Sequence, residues 1–133
     1  RLPTANEWSS FAFESNTSSK SFWTEDGGGT VLYNTCDSTI SILDGVTDPY
    51  LSDYMWFCGN TTTAQPVASK LPNSLGLYDM QGNVREWTHG GTTIGGAWDD
   101  TPFDLRIFHS TESVSLTDTS FINGFRVGFA SAL

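Results

Sequence analysis

The sequence predicts an α+β domain that is loop-rich, with short antiparallel strands and few short helices. Three observations carry this. Gly, Ser, Thr and Asn recur along all 133 residues, with 13 glycines among them, and such residues punctuate a chain rather than sustain long elements. Apolar and polar residues alternate only in short runs, which is the pattern of brief, half-buried strands. A helix start is written only near the beginning, where Thr4 precedes Glu7 by three residues in capping-box spacing. The length suits one domain, spanning 1–133. Hydrophobic residues at 38 % and aromatics at 14 %, including nine Phe and five Trp, supply one core.

The elements follow in order. Behind the Thr4 cap, Trp8, Phe11 and Phe13 give the first helix its apolar contacts. Gly27, Gly28 and Gly29 make a turn, and 30–33 and 39–43 read as short strands. Asp48-Pro49 and Asp53 mark a loop, and 69–73 leads into the most punctuated stretch of the chain. Residues 84–88 and 92–98 read as strands. A last strand covers 121–129, with Phe125, Val127 and Phe129 on one face. Trp8, Trp56, Trp87, Trp98 and Phe125 are expected in the core.

The net charge of −9, from six basic and fifteen acidic residues, disfavours nucleic acid and anionic membranes, whose phosphates need Lys and Arg. It suits a cation, a basic partner or plain solubility. No apolar run reaches membrane-span length, so no direct membrane insertion is expected. Cys36 and Cys58 are the only cysteines. Their spacing is not that of a metal clip; they form a disulfide or two buried thiols, and the disulfide is the expectation. That places the protein in an oxidising compartment: extracellular, periplasmic or on a virion surface. Asn16-Thr17-Ser18 and Asn60-Thr61-Thr62 fit the glycosylation acceptor pattern, a short motif common by chance.

The stretch 71–87, LPNSLGLYDMQGNVREW, carries the densest chemistry. Asp79 and Glu86 lie on either side of the Gly82-Asn83 turn dipeptide. A tight fold there could aim both carboxylates inward with the carbonyls of Gly82 and Val84, and such hard oxygens suit Ca²⁺. The plainer alternative is that Asp79 caps a turn and Glu86 accepts backbone N–H groups.

An ordered set of blocks runs through the chain: RLPTANEW from Arg1, GLYDM from Gly76, GNV from Gly82 with Glu86-Trp87 behind it, GGAW from Gly95 and GFRV from Gly124. Together they resemble the formylglycine-generating enzyme family, also called sulfatase-modifying-factor domains, and they cover nearly the whole chain. The resemblance implies a C-type-lectin-like fold. It implies a structural calcium held by Asp79, Gly82, Val84 and Glu86, whose removal would lower the melting temperature. In the family a strand and a helix precede RLPT, so the resemblance also implies a portion missing at the N-terminus.

The family's oxidases bind copper through two cysteines that would fall between Trp98 and Gly124, and this chain has none there. A soft Cu(I) site needs thiolates or thioethers, so no copper and no catalytic residue is expected. His89 and His109 are the only histidines and do not make an iron site. The expected function is a non-catalytic binding or assembly module: an extracellular or virion-surface recognition domain, or an accessory subunit of a larger complex, with a protein or glycan partner. A copper-dependent oxidase acting on a sulfatase cysteine is disfavoured. A purely structural decoration subunit cannot be separated from the module by sequence. The resemblance places ligand contacts in the segment 99–123, with Asp99, Asp100, Phe103, Asp104, Arg106, Phe108, His109 and Glu112 as candidates; the alternative is an ordinary acidic loop.

Overall fold

The computed structural model describes residues 1–12, 35–36, 51–73, 75–105, 112–113 and 120–128. The turn at 27–29, the strands expected at 30–33 and 39–43, and Phe13 and Phe129 lie outside the described residues. Helix α1 covers Ala5–Ala12. Its start is the capping box: the Glu7 N–H donates to Thr4 Oγ1 at 3.2 Å and the Thr4 N–H donates to Glu7 Oε2 at 2.8 Å. Two backbone donors that the first turn would orphan are thereby satisfied. Arg1 adds a bidentate pair to Glu7 at 2.6 and 2.8 Å. This pair, followed by the backbone bond from Thr4, lowers the Glu7 carboxyl from 4.5 to about 2.

Residues expected to be a loop around Asp53 instead make a one-turn helix, α2, at Leu51–Tyr54. Four short strands then form one sheet: β1 Arg85–Trp87, β2 Thr92–Ile94, β3 Glu112–Ser113 and β4 Asn123–Phe125, in the order β3-β2-β1-β4. β1 pairs with β2 and β2 with β3 antiparallel, while β4 lies parallel to β1 with Glu86 opposite Gly124. The sheet is therefore mixed rather than antiparallel throughout.

The expected strand at 92–98 stops at Ile94 because Gly95 and Gly96 take φ of +95° and +68°, outside strand geometry. A Cβ at Gly95 would come within 2.9 Å of the Trp8 ring, so glycine there lets the chain lie against the indole. The core behind it contains Trp8, Ala12, Met80 and Ile94, with Ala5 and Leu77 packed against them. Met55, Phe57, Ala97 and Leu105 are also buried.

The expectation of five core aromatics is corrected. Trp8 is fully buried, while Trp56, Trp87 and Trp98 are half-buried and Phe125 is 72 % exposed. Phe125 and Val127 do share a face, but that face points outward. Strand alternation assigns two residues to one side without saying which side is buried. Two backbone bonds join Arg1 to Gly128, the Gly128 N–H to the Arg1 carbonyl at 3.0 Å and the Arg1 nitrogen to the Gly128 carbonyl at 3.2 Å.

Cys36 and Cys58 are joined in a disulfide across 22 residues of sequence, as expected. The Asn60 side chain is committed to a turn. Its Oδ1 accepts from the Phe57 N–H at 3.0 Å and its Nδ2 donates to the Met55 carbonyl at 3.0 Å. This is the local side-chain-to-backbone role for which Asn is favoured in turns.

Candidate functional site

The Gly82-Asn83 turn organises the region where Asp79 and Glu86 were expected to meet. Asn83 takes φ of +62° and Gly82 +74°. The Gly82 N–H donates to the Gly95 carbonyl at 2.8 Å and the Asn83 N–H to the Trp56 carbonyl at 2.9 Å. The buried Asn83 amide then bridges to Gln65, accepting from its N–H at 2.9 Å and donating to its carbonyl at 3.1 Å. Three segments distant in sequence are thus stitched around one turn. β1 leaves it directly and carries Glu86 inward, 6 % exposed.

The structure brings Asp79 and Glu86 around a cation, and that cation is Arg126. Arg126 Nε donates to Glu86 Oε2 at 2.8 Å and Nη2 to Oε1 at 2.7 Å. Nη2 also reaches the carbonyls of Tyr78 at 2.8 Å and Asp79 at 3.3 Å. Trp8 Nε1 donates to Glu86 Oε2 at 2.7 Å, so the carboxylate accepts three bonds from groups on α1 and just beyond β4. Burial opposes the charge on Arg126, yet its hydrogen bond and charge interaction with Glu86, and the charge of Asp79, hold the guanidinium above its ordinary value.

Asp79 sits at φ of +52°, 9 % exposed. Its Oδ2 accepts from the Ala68 N–H at 2.7 Å, while its Oδ1 is buried with no hydrogen-bond partner. Of the side-chain oxygens expected to hold calcium, Asp79 Oδ1 is the one left without a protein partner. The orphan Oδ1 would welcome a cation, but both Glu86 oxygens are committed to Arg126 and Trp8. The two carboxylates carry two negative charges and Arg126 returns one positive, so a divalent ion would meet a fixed like charge beside it. Among the described residues, no cluster of three or more His, Cys, Asp or Glu side chains is arranged to hold a metal.

A cavity of about 310 Å³ opens over this ion pair. Asp79, Val84, Glu86 and Arg126 line it together with Val67, Leu77, Tyr78 and Phe125, while Gly82 does not. Among the described residues, none of the ligand candidates from the segment after Trp98 lines it. Asp99 is exposed and Phe103 is 37 % exposed. Asp100 is structural: it pairs with Arg85 at 2.9 and 3.1 Å and accepts the Ala97 N–H at 2.8 Å. Asp104 accepts the Thr101 hydroxyl at 2.7 Å. Glu112 belongs to β3, and Arg106, Phe108 and His109 lie outside the described residues.

Arg126 is the site residue that the sequence reading left without a role. The signal for it was the charge balance. With only six basic residues against fifteen acidic ones, an arginine inside an alternating strand is the natural partner of an interior carboxylate.

Comparison with known proteins agrees with this fold. Residues 1–128 match the family described as sulfatase-modifying factor enzyme 1-like domains, and the chain belongs to that family. Its fold is the C-type-lectin-like fold of the formylglycine-generating enzymes. Treponema denticola variable protein 1 superposes with a TM-score of 0.62 at 23 % identity, over 94 % of this chain and 45 % of that one. PvdO from Pseudomonas aeruginosa superposes with a TM-score of 0.62 at 17 % identity, over 94 % and 50 %. A curated relative, the chaperone protein LppX of Paenibacillus barcinonensis, is 34 % identical over 89 residues, which is 65 % of this chain and 30 % of that protein. The chain thus spans half or less of the length of these relatives.

Proposed function

We propose that the domain is a non-catalytic binding or assembly module that works in an oxidising compartment and engages a protein or glycan partner. The observation that carries this reading is the Cys36–Cys58 disulfide. These are the only two cysteines of the chain, so joining them leaves no thiolate to bind Cu(I) and activate oxygen. The same bond suits a secreted or surface location. The similarity to a protein named as a chaperone supports a role in engaging other proteins. Among the described residues no helix is long and apolar enough to cross a membrane.

The test is an oxygen-electrode assay with Cu(I) and a cysteine-containing sulfatase peptide. No consumption above background and no stoichiometric Cu(I) binding are expected. Oxygen-dependent turnover of the peptide would overturn the reading.

A further inference from the structure

The last described segment leaves a stripe of apolar side chains that the domain does not cover. Phe121, Phe125 and Val127 are 79, 72 and 57 % exposed. Arg126, between the last two, turns inward to Glu86, so the odd-numbered residues share the outward face. Register sets Trp87 of β1 beside Phe125 and Arg85 beside Asn123. The Phe121 ring stacks on Trp98 with centroids 6.4 Å apart. Val67, 80 % exposed, lines the same cavity as Phe125. β4 is also the last strand of the sheet, with none on its far side among the described residues. Large apolar side chains scattered singly need no account, but a contiguous run of them marks an interaction surface. The stripe carries no charge of its own, in a chain whose net charge is −9. Arg85, which flanks it, is neutralised by Asp100 at 2.9 Å.

We propose that this stripe is covered by the same stripe of a second copy of the chain, across a two-fold axis. Charge and area select this occupant. Two copies at −9 repel each other. They meet at least cost where both surfaces are neutral, as the cores of interfaces are, and a two-fold axis brings one patch against itself. A basic partner is drawn to the acidic surface elsewhere instead. At about 150–250 Å² for each buried aromatic side chain, the exposed parts of Phe121 and Phe125 remove roughly 600 Å² from water when both copies are counted. Val67, Val127 and the open part of Trp87 raise this to roughly 1,000 Å², the least that a specific interface needs. The dimer is accordingly weak and apolar, and it tightens when salt screens the repulsion between the two copies. The proposal rests on the reading of the domain as a binding or assembly module and names one of its contacts.

The experiment is sedimentation velocity of the chain from about 10 µM to 1 mM, at low salt and at about 0.5 M NaCl. A monomer at the dilute end and a dimer at the concentrated end are expected, with the dissociation constant falling severalfold as salt rises. NMR spectra of the unmodified chain across the same dilution should change at Trp87, Phe121, Phe125 and Val127. Phe121→Ser and Phe125→Ser, made separately and each with an unchanged thermal melt, should weaken the dimer about tenfold. Leu71→Ser, at a half-exposed position lining a different pocket with Ala12 and Tyr54, should leave it unchanged. A monomer at every concentration, a dimer indifferent to both phenylalanine variants, association that weakens with salt, or growth past the dimer without limit would each overturn the proposal. A monomer that still binds a protein or glycan partner would sink this contact and leave the binding module standing. Oxygen-dependent turnover would sink the module whether or not the chain dimerises.

Discussion

Arg126 and Glu86 meet through both carboxylate oxygens, at 2.8 and 2.7 Å, across 40 residues of sequence. The pair joins the end of the last strand to the middle of the first, and the Trp8 indole binds the same carboxylate from α1. Removing one partner leaves a buried charge alone, which costs far more than the pair itself contributes. Arg126→Leu should therefore destabilise the domain by about 3–5 kcal/mol in urea unfolding. A loss below about 1 kcal/mol would mean that Glu86 is not dependent on the guanidinium.

Because both Glu86 oxygens are already taken by Arg126 and Trp8, the melting temperature should be the same in EDTA and in millimolar CaCl₂. A ligand that binds only the folded state raises the melting temperature. A drop in chelator by several degrees would therefore restore calcium to Asp79 and Glu86.

Two glycines separate backbone strain from collision. Both Gly76 and Gly82 have positive φ, but a Cβ at Gly76 meets nothing within 4 Å, whereas at Gly82 it would lie 2.1 Å from the Trp56 carbonyl oxygen. Gly76→Ala should cost about 1 kcal/mol, the strain of the left-handed conformation alone. Gly82→Ala should cost about 3 kcal/mol or more, since backbone must move as well. Equal losses in chemical denaturation would refute the distinction.

Cutting the Cys36–Cys58 bond, by reduction or by Cys36→Ser with Cys58→Ser, releases a loop spanning 22 residues of sequence. The expected loss is about 3 kcal/mol, measured as a lower urea midpoint in reducing buffer. An unchanged midpoint would show that the rest of the fold already fixes this loop.

Glu7 gives a pH signature. Its folded value is lowered to about 2 by Arg1 and the Thr4 N–H, from an ordinary 4.5. A lowered carboxyl stabilises the folded form above the unfolded value and loses that contribution as pH falls through the folded one. Acid should therefore erode the start of α1 between about pH 4.5 and 2. A carboxyl-carbon NMR titration of Glu7 with its midpoint near 4.5 would contradict the capping geometry.

Local chemistry was legible in the sequence, and long-range pairing was less so. Thr4 and Glu7 announce the cap because both partners lie within one turn. The motif order identified the fold family, and the cysteine spacing pointed to the disulfide. The orientation of β4 was not readable, because parallel pairing is made between segments that share no turn. The outward face of Phe125 was missed for a related reason: alternation has two sides and only tertiary packing chooses between them. The carboxylates at Asp79 and Glu86 were found, but not their counter-ion, since nothing near them in sequence points to a residue 40 positions away.

The bond from Trp8 to Glu86 spans 78 residues, and Arg1 is tied to Gly128 across 127. During synthesis at roughly 5–20 residues per second, Trp8 is made about 4–16 s before Glu86 exists. The first helix must then wait for Glu86 before its indole is bonded, and for Gly128, just beyond β4, before Arg1 is tied down. Assembly of this domain is accordingly a late event, completed only when Arg126 and Gly128 are free to reach their partners. The interval before it is when a nascent-chain chaperone would find Trp8 unburied.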